Sequence, residues 1–291
     1  MSYINPAELF IDEYGFNQSP EDICAYAEYL LRESNAATTL PVDLDRIYKR
    51  FNMPKPIRRS LDDVQGLLAS EAYGMVIVNE NDPPARQRFT EAHELMEYVF
   101  KPLHVRRSWN GQRVGNLPQN KKEQLCNLGA AELLMPKQLF IDQVRGRKVG
   151  FEAARDLTSI FHVSLTAALV RMVRLSHEPY AVVLFRHKHK PSELKEMQRT
   201  PTQMNLLDEE PAQPSKKLRV EWAIGNGTNV FMPQDKSVDS GTKIYRAWQD
   251  STFTEGVDVL ELGRHVGRFR CESMPFTVND ERLVLSLIAF A

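Results

Sequence analysis

Apolar positions recur at helical spacing through the first half of the chain. In SPEDICAYAEYLLRES (19–34) they fall at 23, 24, 27, 30 and 31, the rhythm of threes and fours that turns one helix face toward a core. Ser19 and Asp22 stand three apart, as a capping box requires. PVDLDRIYKRFNM (41–53) reads as a second helix with its proline in the first turn. GMVIVNEND (74–82) changes the rhythm to a β-branched apolar run that meets Asn and Asp, a strand entering a turn. PPARQRFTEAHELMEYVF (83–100) returns to helical spacing, with Phe89, Ala92, Met96, Val99 and Phe100 on one side. A polar loop (106–120) then leads to KKEQLCNLGAAELLMP (121–136), a helix stopped by Pro136.

The second half is patterned differently. FEAARDLTSIFHVSLTAALVRMVRL (151–175) is two helical runs around a turn at His162, Val163 and Ser164, a helix-turn-helix-like arrangement. YAVVLFRH (180–187) is a strand. Residues 192–217 are polar, charged and proline-rich, and are expected to form a mobile linker or long loop. From LRVEWAI (218–224) to RLVLSLIAFA (282–291) the chain alternates short strands with Gly and Asp turns. There is no internal repeat. The predicted fold class is α+β: a mostly helical front with one small sheet (1–140), a helix-turn-helix-like segment (141–178) and an α+β tail (179–291) that contains the mobile stretch.

Composition narrows the classes of partner. The chain has 291 residues, 42% of them hydrophobic and 26% charged, enough to bury two cores. A net charge of -1 gives no general pull toward nucleic acid or an acidic membrane. No run reaches the roughly 18–20 apolar residues that cross a bilayer, so no membrane partner is expected. Cys24, Cys126 and Cys271 lie far apart and form no C-x-x-C pair, which fits a reducing cytoplasm. The opening MSYINPAELFIDEYG carries acids early and lacks the basic-then-apolar order of a signal peptide.

The chemistry concentrates in the third helix. His93 and Glu97 are four apart, on one face and one turn from each other, so both can reach a single ion. Glu94 sits about 100° round the same helix, where a general base would take a proton from water. The run is one letter from H-E-x-x-H, with Glu97 in place of the second histidine. In the next helix Glu123 and Asn127 interrupt an otherwise apolar surface at i and i+4. Buried polar groups need partners. A metal held by Glu123, with Asn127 bracing a ligand from behind, would satisfy both, and so would a first-turn glutamate and a loop-bound amide.

RQRFTEAHEL (86–95), the Glu123-x-x-Cys126-Asn127 element and GAAELLMP (129–136) resemble the ImmA/IrrE family of zinc-dependent peptidases, and the whole chain is most similar to its radiation-response branch. The family pattern is R-x-R-F-T-x-A-H-E-x-x-H, then E-x-x-x-N, then A-A-x-L-L-M-P. The resemblance implies a zincin-like peptidase domain, a helix-turn-helix-like middle and a GAF-like C-terminal domain, for which no small-molecule ligand can be named. It also implies one divalent metal, zinc first. His93, Glu97 and Glu123 would be its ligands, Glu94 the base and Asn127 the brace. The partner implied is a helix-turn-helix transcriptional repressor, cleaved to induce a stress or DNA-damage response. The departure at Glu97 puts a second negative charge on the ligand set, which lowers Lewis acidity and favours harder ions such as manganese. An active enzyme with an altered metal, a conditional one and a non-catalytic regulator that binds the same partner all stay open.

Other residues compete for roles. His104 lies eleven positions after His93, near the third-ligand distance of some zinc peptidases, but lacks a glycine turn and reads as exposed. Tyr98 reads as packing, and Arg86 and Arg88 as anchors rather than substrate clamps. The second helix of the middle segment offers Ser164, Thr166, Arg171 and Arg174 as a polar surface, too few donors for base reading, so DNA binding is not favoured. RHKHK (186–190) and RGRK (145–148) read as solvated faces, and Cys271 as packing.

Overall fold

The computed structural model of the chain describes residues 4–62, 65–70, 74–102, 117–198, 214–227, 232–262 and 265–290. It divides into two compact units, Met1–Lys148 with Glu152–Arg171, and Val149–Phe151 with Met172–Ala291.

The first unit is mostly helical. Helix α1 (Pro6–Tyr14) was not legible as a helix in the sequence. It is capped by Asn5, whose side-chain oxygen accepts from the amides of Ala7 and Glu8. Helix α2 (Pro20–Ser34) starts on the expected capping box, with both Ser19 and Asp22 bonded to backbone amides. Helix α3 (Leu44–Arg50) begins later than proline placement suggested. Asp43 caps it through the Asp45 amide, and Pro41 lies outside. A short side chain that accepts a hydrogen bond defines a helix start more strongly than a proline with no donor.

Strands β1 (Ile57–Arg59), β2 (Gly66–Ser70) and β3 (Met75–Asn79) form a sheet in the order β1-β3-β2, with β1 parallel and β2 antiparallel to β3. Only β3 carries a pattern readable in sequence, since β1 is exposed along its whole length. Helix α4 (Pro84–Glu97) follows, and a 3-10 turn (Tyr98–Phe100) extends it. Gly66 allows the sheet to close on α4, because a Cβ there would collide with the Thr90 methyl. Helix α5 (Gln119–Leu134) packs against α2 and α4. Their meeting point is Gly129, where an added Cβ would lie 2.6 Å from Met96 Sδ and 2.7 Å from Ile23 Cγ1.

Helices α6 (Lys137–Val144), α7 (Phe151–Phe161) and α8 (Leu165–Leu175) complete the helical run, and the chain turns by 111° between α7 and α8. His162 takes φ 52° at that turn, where the sequence placed it. The polar surface expected of α8 is not built for base reading. Arg171 is buried and bonded to the equally buried Glu132 of α5 at 2.5 Å, and Ser164 Oγ caps α8 by accepting from the Ala167 amide. A charge buried among helices must be paired, so Arg171 is consumed by the core. Among the described residues no single helix is long and apolar enough to cross a membrane.

The second unit is an antiparallel sheet of five strands, β4 (Tyr180–Lys188), β5 (Lys217–Gly225), β6 (Thr254–Leu262), β7 (His265–Val278) and β8 (Glu281–Ala289), in the order β5-β4-β8-β7-β6. Its core gathers Ala181, Val183, Phe185, Val220, Cys271, Val284 and Ile288 from the sheet with Ile244 and Ala247 from helix α10 (Lys243–Asp250). Asp258 receives the first amides of α10, from Lys243 and Ile244.

The expected mobile stretch needs correction at its start. Residues Pro191–Gln198 form helix α9. Its Glu193 accepts from the Lys190 amide and from buried Arg219, a tertiary clamp that composition cannot announce. Residues 199–213 lie outside the described residues. The RHKHK run is likewise no free basic face. Arg186 and Lys188 both pair with Glu221, and His187 stacks on Trp248 at 4.4 Å. Cys271 is fully buried, as packing requires.

Candidate metal centre

The second half of helix α4, from Thr90 on, is buried except at His93 and Glu97, and that edge carries the site. His93, Glu94 and Glu97 each bring one donor atom to within 4.8 Å of the others. The spacing i, i+1, i+4 does this directly: 93 and 97 stack one turn apart and 94 leans in from the side. Helix α5 supplies the rest. Asn127 Oδ1 lies 3.0 Å from His93 Nδ1, and Glu123 Oε2 lies 3.3 Å from His93 Nε2.

Those contacts orient the imidazole. An amide oxygen can only accept, so Nδ1 carries a proton toward Asn127, and Nε2 faces Glu123. Nε2 and the Glu123 oxygen, 3.3 Å apart, are spaced for a bridging proton or for a metal. Two ligands of a tetrahedral zinc at about 2.0–2.2 Å stand about 3.4 Å apart. The residues present therefore fit a metal of that kind. Gln119 Nε2 donates to Glu123 Oε1 at 2.6 Å, which leaves Oε2 for His93.

The sequence argument for α5 rested on burial, and that premise fails. Glu123 keeps 44% of its side chain exposed and Asn127 is on the open side of the helix. They are polar on an exposed side of the helix that faces His93. The polar group buried in α5 is Glu132, which binds Arg171 and the Lys137 amide.

The electrostatics separate Glu94 from Glu97. Burial pushes the Glu94 carboxyl up to about 7, with the charges of Glu97 and Glu123 adding to the rise. A base with an affinity for protons near neutrality is the kind a proton-transfer step uses. Burial also pushes Glu97 upward, but the hydrogen bond and charge of Lys122, with the charge of Lys101, outweigh it and hold Glu97 below its ordinary value. Lys122 Nζ bonds Glu97 Oε1 at 2.6 Å, and Lys101 Nζ stands 3.5 Å from the same oxygen. Sequence reasoning missed both lysines. The i, i+4 spacing of Glu97 and Lys101 was a readable signal, whereas Lys122 comes from another helix and gave none.

The remaining candidates fall away from the centre. Arg88 bonds the Val42 carbonyl and anchors the segment before α3, and Arg86 pairs with Asp82 at 3.7 Å. Tyr98 is buried. Burial holds the Cys126 thiol far above its ordinary value. His104 lies outside the described residues.

Comparison with known proteins follows this geometry. Residues 50–173 match the family model of the IrrE N-terminal-like domain, Peptidase_M78. A 119-residue stretch is 32% identical to the radiation response metalloprotease IrrE of Deinococcus deserti, covering 38% of this chain and 40% of that protein. The chain thus spans about two fifths of the length of the curated relative it matches. A solved structure of a Mycobacterium tuberculosis transcriptional regulator is similar in fold, with a TM-score of 0.59 at 12% identity, covering 98% of this chain and 80% of that one.

Proposed function

We propose, from the match of residues 50–173 to the IrrE N-terminal-like domain model, that this chain is a metal-dependent site-specific endopeptidase. The observation that carries the reading is the convergence of His93, Glu94 and Glu97 with Glu123 across the facing helix. His93 and Glu97 from α4 and Glu123 from α5 would hold one divalent ion. Such an ion would supply Lewis acidity to a peptide carbonyl. Asn127 fixes the His93 ring so that Nε2 is the ligating atom. Glu94 accepts the proton of the attacking water and hands it to the leaving amine, a transfer its near-neutral proton affinity suits. The substrate class is a helix-turn-helix transcriptional repressor, which the family resemblance implies, and the outcome is release of a stress response. Three unpaired cysteines agree with a cytoplasmic setting. The C-terminal unit, a five-stranded antiparallel sheet with α10 in its core, is read as GAF-like.

Glu94→Gln, co-expressed with candidate repressors, tests the activity. Loss of a positioned base lowers cleavage about 10²–10⁴-fold while repressor capture persists. Equal cleavage by the variant ends the peptidase reading for this cleft. One observation favours a second reading, a regulator that binds without cutting: Glu97 already has an ammonium ion against it. The wild-type chain would then capture the repressor and leave it whole.

A further inference from the structure

The unusual letter of the motif has a partner. Replacing the second ligand histidine by Glu97 takes the ligand set His93, Glu97, Glu123 to a formal charge of two negatives, where a two-histidine set has one. Lys122 restores the difference. Its ammonium is 2.6 Å from Glu97 Oε1, it is only 15% exposed, and the Phe100 ring lies 5.8 Å from it on the other side. Lys101, one turn after Glu97, adds a second ammonium at 3.5 Å. Both contacts fall on Oε1.

We infer that Lys122 is a positioning residue that compensates Glu97, so that the pair acts at the metal as one nearly neutral ligand and preserves the zinc preference of a two-histidine site. The inference rests on the metal reading above. Its physical basis is that a half-buried cation in direct contact with a ligand carboxylate cancels most of that carboxylate's field at a third point. The pair is also orienting: with Oε1 held by lysine, Glu97 offers a single oxygen, as an imidazole offers a single nitrogen. The expectation of a shift toward manganese, drawn from Glu97 alone, is thereby reversed.

Zinc and manganese affinities of the full chain, measured by calorimetry on chelator-stripped protein, test this. Four proteins suffice: wild type, Lys122→Gln, Lys122→Arg and the double variant Glu97→His with Lys122→Gln. Far-UV circular dichroism establishes that each is folded. Wild type and Lys122→Arg should prefer zinc to the same degree. Lys122→Gln should move the zinc-to-manganese ratio toward manganese by about tenfold, a typical coupling for charged groups in contact. The double variant should return to the wild-type ratio, which a merely structural lysine would not produce. An unchanged ratio in Lys122→Gln overturns the inference. So does a wild-type chain that binds neither ion while Lys122→Gln binds zinc, because the lysine would then be standing in for the metal. Four proteins that bind no ion remove the metal reading itself, and the inference with it.

Discussion

The two ends of α5 each carry an ion pair to a neighbouring helix or turn, and the pairs are built for opposite purposes. At the C-terminal end Glu132 meets Arg171, both side chains 6% exposed. Glu132 also receives the Lys137 amide, so both its oxygens are used. At the N-terminal end Lys122 meets Glu97 at 15% and 19% exposure, beside a histidine and a second carboxylate whose donor atoms converge. In the first pair both carboxylate oxygens are taken up within the protein. The second leaves acceptor atoms facing one another. Buried ion pairs contribute little net stability but are costly to break. Clustered charges with shifted proton affinities are the mark of a candidate functional site. The difference teaches how one helix is locked at one end and open to chemistry at the other.

Breaking the locked end should have the largest effect. Glu132→Ala strands the Arg171 guanidinium in the core and is expected to cost about 3–5 kcal/mol of folding stability, read as a lower urea midpoint at unchanged slope. The paired replacement of Glu132 by Leu and Arg171 by Met should recover most of that loss, since hydrophobic substitutes avoid the desolvation cost. Zinc binding by the folded fraction should stay as in wild type. A parallel loss of metal affinity would mean that the two ends are not independent.

The middle of the helix sharpens the comparison. Gly129→Ala gains helix propensity but drives a methyl group against Met96 and Ile23. Overpacking of that kind costs about 1–3 kcal/mol. Because Met96 lies on the same helix as His93, Glu94 and Glu97, the metal reading expects the variant to lower both the urea midpoint and zinc affinity. A stability gain would show that the three helices can part without cost.

The open end should answer more quietly in stability and clearly in binding. Asn127→Ala removes the acceptor that holds the His93 ring. Loss of such an outer partner typically costs about 10–100-fold in metal affinity. The lower figure, about tenfold, is expected here because the amide is exposed and water can replace it. Its urea midpoint should match wild type. Unchanged zinc affinity would show that His93 is oriented by something else.

Much of this protein was legible without coordinates, and the reason is locality. The capping box of α2, the turn at His162 and the arrangement of His93, Glu94 and Glu97 along one helix depend on residues a few positions apart. Periodicity and capping chemistry describe such neighbours fully. Helix α1 and strands β1 and β2 were missed because short or exposed segments leave no periodic signal, and the helix at Pro191–Gln198 because it is held by Glu193 clamping an arginine from another strand. The burial argument named Glu123 and Asn127, and both do contact His93, but neither is buried. Sequence shows that α5 is apolar on most sides but not which side faces a cleft. Only the tertiary structure decided that Arg171 belongs to Glu132 rather than to a nucleic-acid surface. It alone set Lys122 against Glu97. Those pairings join residues 39 and 25 positions apart, and which charges meet across helices follows from how the helices pack, a choice made by volume and shape that no local pattern contains.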